Sequence, residues 1–289
     1  MTNELKTQIM KTFAILLAAV LFSFMPAVAA ETNYPFEVKI TGSGKSPIIF
    51  IPGFASSGDV WNDTKAAYEK GHTCYTLTMA GFAGVSAQPN ASFIAWEKSI
   101  ADYIIDKKIK KPVIIGHSMG GGLALAIAAD YPDLISKIIV VDALPCLAAM
   151  MNPSFKPNPN NDCSGMVERY KSIPDSQFYQ SQKSGMTGLV ADTSKQEMIV
   201  QWSMKSDRAT FATMYCDFLN TDLREKISNI KCPTLILMEL SFSVHTETVN
   251  EQYKNLKTAQ IHYSNKGLHF LMYDDKEWYM NELNTFIKN

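Results

Sequence analysis

The sequence predicts an α/β fold: a mostly parallel central sheet flanked by helices, with a mainly helical cap inserted late in the chain. Three observations predict it. Short unbroken apolar runs such as Pro47-Ile48-Ile49-Phe50-Ile51 read as strands buried on both faces, as in parallel sheets. These runs alternate with stretches of helical spacing. One long stretch, residues 144–225, breaks the alternation and holds no strong strand.

Each element follows from its own pattern. Phe36-Glu37-Val38-Lys39-Ile40 alternates as a strand, and Gly42-Ser43-Gly44 reads as a turn before the apolar run at Pro47. Cys74 to Thr78 is a further strand. Phe93, Trp96, Ile100, Tyr103 and Ile104 recur at helical spacing between Ser92 and Ile109. Val113 to Ile115, Ile138 to Val141 and Thr234 to Leu237 are apolar strands, Ala259 to Tyr263 is the last strand, and Glu277 to Ile287 the closing helix. The expected organisation is a signal peptide over 1–30, a core over 31–143 and 226–289, and a helical cap (lid) over 144–225. Seven of the fifteen methionines fall in the cap. Methionine is flexible and polarisable, which suits contact with apolar ligands, or equally the filling of the cap's own small core.

The 289 residues carry a formal net charge of -1 and 46% hydrophobic residues. This balance argues against nucleic acid as a partner, because phosphate binding needs a basic surface. Lys107-Lys108-Ile109-Lys110-Lys111 is basic, but it closes a predicted helix, where cations are favoured by the helix dipole. Lys6 and Lys11, the apolar stretch from Thr12 to Phe24 and the small residues Ala27-Val28-Ala29-Ala30 together read as an export signal. The stretch is short for a membrane span of roughly 20 residues. The expected location is therefore periplasmic or secreted, with no stable membrane anchor after cleavage near Glu31. Five cysteines make at least one of them unpaired within the chain. Cys146 and Cys163, in one irregular segment, are the candidate bridge, and buried free thiols the alternative. No Cys/His spacing points to zinc, and no cofactor is expected.

Chemistry concentrates in three places. The first is Gly116-His117-Ser118-Met119-Gly120, a Gly-x-Ser-x-Gly sequence between the strand Val113-Ile114-Ile115 and the small-residue helix from Gly121 to Ala129. Strand, serine turn, helix is the setting of a nucleophile elbow, which lifts the serine hydroxyl above the sheet. The second is Pro52-Gly53-Phe54 after the first long buried strand. The N–H groups of Phe54 and Met119 are the candidate oxyanion donors, since acyl transfer needs fixed N–H groups facing the developing negative oxygen. The third is Gly267-Leu268-His269 after the last strand, where an imidazole could take the serine proton. His117 is expected to point away from Ser118, because adjacent side chains diverge.

The acid that orients His269 has two candidates. The stretch after the strand Thr234 to Leu237 holds no aspartate, and Glu239 falls early, at the strand's end. One strand earlier, Asp142 follows Val140-Val141, keeps the order serine, acid, histidine, and sits at the carboxyl end of a buried strand. Asp142 is the favoured acid.

Together these pieces resemble the α/β-hydrolase superfamily, in particular its capped esterases, lipases and C–C bond hydrolases. The resemblance spans about Phe36 to Ile287. Pro52-Gly53-Phe54 stands where members often carry His-Gly-Phe, and the missing aspartate after the penultimate strand is the larger departure. The resemblance implies metal-independent hydrolysis through an acyl-enzyme: Ser118 as nucleophile, His269 as base, Asp142 as its orienting acid, and Phe54 and Met119 at the oxyanion hole. The expected partner is a small-molecule ester with an apolar small-to-medium group. A lactonase, an amidase, a thioesterase, a C–C bond hydrolase and a non-catalytic binding protein on the same fold are the alternatives.

Overall fold

The computed structural model describes residues 34–288. The expected export signal lies outside the described residues.

Seven strands form one sheet among the described residues: β1 (Phe36–Thr41), β2 (Ser46–Ile51), β3 (His72–Met79), β4 (Val113–His117), β5 (Lys137–Val141), β6 (Thr234–Met238) and β7 (Ala259–Tyr263). Their order is β1-β3-β2-β4-β5-β6-β7. Only β1 runs antiparallel to its neighbour, with Phe36 opposite Met79, and the remaining pairs are parallel. The expected mostly parallel α/β architecture is thus the observed one.

The central strands β2, β4, β5 and β6 are mainly apolar because both of their faces are covered. Ile48, Phe50, Ile115, Ile139, Val141, Leu235 and Leu237 belong to one buried cluster. Ile49, Ile51, Ile114, Ile138, Val140 and Ile236 belong to another. Neighbours in one strand fall in opposite clusters, as the two-residue period of a strand requires. The second cluster is closed by the helices α2 (Phe93–Asp106), through Phe93, Trp96, Ile100 and Ile104, and α3 (Met119–Asp130). Ser92 caps α2 by accepting from the Ala95 N–H. The first cluster is closed by Trp61 and Tyr68 around α1 (Asn62–Tyr68), a helix absent from the sequence expectations, and by Tyr279, Leu283 and Phe286 of the last helix (Lys276–Lys288).

Between β5 and β6 the chain forms α4 (Ser164–Ser172), α5 (Asp175–Met186), α6 (Thr193–Met204) and α7 (Arg208–Leu219), with no strand. α6 and α7 open on Asp192 and Asp207, whose side chains accept from the Ser194 and Thr210 N–H groups. A disulfide joins Cys163 at the start of α4 to Cys216 on α7. The sequence expectation of a Cys146–Cys163 bridge is corrected. Cys146 is fully buried, its N–H donating to Gln252 Oε1, whereas α4 packs along α7 and brings Cys216 to Cys163. Cys74, Cys146 and Cys232 are free and buried.

Candidate active site

The turn at Ser118 is built by close approach. β4 ends at His117, α3 begins at Met119, and Ser118 between them adopts φ 53°, ψ -123°. A non-glycine residue held at such angles is strained, and such strain collects at functional sites. The flanking glycines make the turn possible. A Cβ on Gly116 would lie 2.2 Å from the Gly120 carbonyl oxygen, and one on Gly120 would lie 2.3 Å from the Ile51 carbonyl oxygen. The Ser118 N–H donates to Val141 O at 2.8 Å, so the serine turn is clamped to the end of β5.

Asp142 follows directly, at φ 50°. Its N–H donates to Leu237 O at 2.7 Å. Its carboxylate takes two donors: His269 Nδ1–H on Oδ2 at 2.6 Å and the Glu239 N–H on Oδ1 at 2.7 Å. Of the two candidate acids, the histidine is therefore bonded to Asp142, and the Glu239 side chain contacts Ser241 instead.

His269 sits in the loop after β7. Gly267 N–H donates to Ser264 Oγ, which donates to Asp275, and Leu268 N–H reaches Asp274. Burial alone would push the His269 imidazole toward its neutral form. The Asp142 hydrogen bond and charge, with Glu239 adding to them, outweigh that and raise its pKa above the ordinary histidine value. With Nδ1 bonded to Asp142, Nε2 is the nitrogen free to take a proton from a hydroxyl. Ser118 and His269 line the same cavity, and the Ser118 hydroxyl makes no hydrogen bond to His269. Such a contact is often long before substrate is bound.

His117 does not simply point away, as its expectation had it. Its Nε2–H donates to the His269 carbonyl at 3.0 Å, and the two imidazole rings lie 4.6 Å apart. Burial, and then the charge of His269, push the His117 pKa well below the usual range. A ring that burial holds toward its neutral form thus supports the His269 ring. The sequence signal was available: residue 117 follows Ile115 by two positions in β4, and so shares its face of the sheet.

Gly53 brings the loop after β2 against the serine. A Cβ there would stand 3.1 Å from Ser118 Cβ. The Phe54 and Met119 N–H groups donate to no main-chain oxygen among the described residues, and Met119 opens α3, whose first N–H groups have no partner inside the helix. An anion beside Ser118 would meet the positive end of the helix dipole.

The cavity over these residues has a volume of about 380 Å³. Its floor is Phe54, His117, Ser118, Asp142 and His269 from the sheet loops, and its other walls include Gln182, Met186, Leu189, Ile199, Ser203, Tyr215 and Phe218 from the α5 to α7 region. Of the seven methionines in the inserted segment only Met186 is among the lining residues. Met214 is fully buried in the core and Met151 is exposed. Neither lysine nor arginine lines the cavity. Among the described residues no cluster of His, Cys, Asp and Glu could hold a metal ion, and no helix is long and apolar enough to cross a membrane.

Known proteins share this arrangement of chain. The alpha/beta hydrolase fold family matches residues 46–172. A pimeloyl-[acyl-carrier protein] methyl ester esterase from Wigglesworthia glossinidia brevipalpis is 25% identical over 202 residues, which cover 70% of this chain and 76% of that relative. The solved structure of an esterase from Exiguobacterium antarcticum superposes with a TM-score of 0.73 at 18% identity, over 90% of this chain and 98% of that one. An enol-lactonase from Burkholderia xenovorans LB400 superposes with a TM-score of 0.72 at 14% identity, over 88% and 96%.

Proposed function

The chain belongs to the α/β-hydrolase superfamily, and from that premise we propose that it is a serine hydrolase cleaving carboxylic esters of apolar, small-to-medium substrates. One observation carries the reading: a strained serine at a helix start and a histidine bonded to a carboxylate at 2.6 Å open onto one apolar cavity. In this reading Ser118 Oγ attacks the ester carbonyl carbon and His269 Nε2 takes its proton. The carbonyl electrons move to oxygen, which the Phe54 and Met119 N–H groups hold. Collapse expels the alcohol, protonated by His269, and leaves an acyl-serine. Water, deprotonated by His269, then releases the acid. Asp142 keeps the imidazole in the working tautomer and stabilises its charged form.

The walls argue for neutral substrates. A cavity with two carboxyl groups and neither lysine nor arginine offers nothing to a substrate carboxylate. The helices over 144–225 act in this reading as a lid whose inner face selects the acyl or alcohol group. Lactones, amides and activated C–C bonds are alternatives for the same machinery, and a non-catalytic binding protein is the alternative from another class.

A substrate panel with a serine probe tests the proposal. Methyl hexanoate is expected to turn over well, and monomethyl adipate, with its free carboxylate, at least tenfold more slowly. A fluorophosphonate is expected to label the wild type and not Ser118→Ala, which loses activity by about a millionfold. Full activity in Ser118→Ala sinks the mechanism. A folded protein that refuses the probe supports the binding-protein reading, and preference for lactones or amides corrects the substrate class.

Export is part of the same proposal. The charged and apolar pattern before Glu31 has the form of a cleaved signal, and a disulfide such as Cys163–Cys216 persists in oxidising compartments. Cell fractionation with N-terminal sequencing of the mature chain checks it. A cytoplasmic protein with residues 1–30 intact refutes it.

A further inference from the structure

Glu239 has no part in the steps above, yet it is built into the site. It follows β6, lines the cavity, and gives its N–H to Asp142 Oδ1 at 2.7 Å. Both oxygens of Asp142 are thereby held, one by Glu239 and one by His269. The Leu240 N–H donates to Gly267 O at 2.9 Å, which ties the Glu239 turn to the histidine loop. The Glu239 carboxyl itself is asymmetric. Oε1 accepts from the Ser241 hydroxyl, while Oε2 is shut off from solvent with no hydrogen-bond partner.

A bare, buried carboxylate oxygen beside a second carboxylate is costly, whereas a neutral carboxylic acid in the same place is not. We propose that Glu239 is a positioning residue for the Asp142–His269 pair: its N–H fixes the aspartate, and its carboxyl, neutral or charged, sets how tightly His269 holds a proton. The proposal rests on the serine-hydrolase reading and adds a second acid to it.

The groups facing Glu239 act in opposite directions. Burial first, then the Asp142 charge and more weakly Asp274, keep the proton on Glu239 beyond the usual carboxylate range, and Ser241 and a charged His269 oppose them. The coupling is reciprocal. Loss of the Glu239 proton to water favours the imidazolium, and a charged imidazolium favours that loss. An imidazolium facing two carboxylates is more stable than one facing Asp142 alone. The free base that attack requires then appears only at higher pH. His117 adds no negative charge, being held neutral.

The test is the pH profile of kcat/KM on a neutral ester, with fluorophosphonate labelling of each protein as the control. Glu239→Gln keeps the N–H and the shape but cannot ionise. Its acid limb is expected to fall about one pH unit below that of the wild type. Glu239→Asp, which keeps a carboxyl, is expected to return the limb toward the wild-type position. Coincident limbs in Glu239→Gln and wild type, both labelled at Ser118, overturn this proposal and leave the serine mechanism standing. Equal displacement in both variants also overturns it, because a purely structural effect does not distinguish Gln from Asp. Should Glu239→Gln fail to fold, the imidazole NMR titration of His269 in Glu239→Asp replaces it, and a midpoint unmoved from wild type is then the adverse result. Failure of the wild type to label overturns both readings together.

Discussion

Two pairs of neighbouring carboxyl groups among the described residues each hold one buried member, Glu97 in one and Asp142 in the other, and they differ in what completes them. Glu97 on α2 and Asp130 at the end of α3 share the ammonium of Lys226, at 3.3 and 2.7 Å. Asp142 and Glu239 share no lysine or arginine, and the nitrogen base beside them is His269. Each pair cannot be fully ionised cheaply, so in each one member keeps its proton more firmly. Burial, followed by the hydrogen bond to Asp130, pushes Glu97 up to about 7. Burial, followed by the Asp142 charge, also raises Glu239 above its ordinary value. What separates the pairs is the cation. Lysine stays charged at every ordinary pH, so the Glu97 cluster is a fixed brace between two helices and the segment before β6. Imidazole gains and loses its charge near neutrality, so the Asp142 cluster can move a proton.

The sharpest way to break this contrast is to neutralise one acid of each pair. Asp142→Asn is expected to lower kcat about ten-thousand-fold while the protein stays folded, because the amide favours the wrong imidazole tautomer. Glu97→Gln is expected to leave kcat within about twofold, since Glu97 does not line the cavity and the amide keeps its shape. Ester turnover and circular dichroism on both variants decide it. Comparable losses of activity in the two would erase the distinction between brace and working pair.

A smaller effect sharpens the comparison through stability. Between pH 4.5 and about 7 native Glu97 keeps a proton that the unfolded chain has lost. The native state binds more protons over that window, so stability falls as the pH rises through it. The fall is on the order of 2 kcal/mol for a shift of this size. Glu97→Gln resembles the protonated form, able to donate to Asp130 and accept from Lys226 at all pH values. Urea midpoints at pH 5 and pH 8 are expected to converge in the variant. An unchanged difference between the two midpoints would place the pH dependence elsewhere.

The contrast also explains what could be read without coordinates. Ser118 was legible because an elbow is local: strand, glycine, serine, glycine and helix all fall within adjacent residues. His269 and Asp142 were legible at one remove, because each stands just past the carboxyl end of a buried strand, where neighbouring strands in a parallel sheet place their loops side by side. The Glu239 N–H on Asp142 carries no side-chain signature, so no residue type announces it. Lys226 likewise reads as one more surface lysine until α2 and α3 are packed together. The Cys163–Cys216 pairing carries no local signature either. Proximity in sequence favoured Cys146, and only the packing of α4 on α7 selects Cys216.

From the order of residues alone came the alternation of buried strands and helices, the strained serine turn and the ranking of Asp142 over Glu239, because each depends on periodicity or on neighbours a few positions apart. Packing alone settled which thiols join, that His117 braces His269, and that a second acid stands against the first. Those are contacts between segments distant in the chain, and their energy depends on burial and on the charges nearby, neither of which exists until the sheet has assembled.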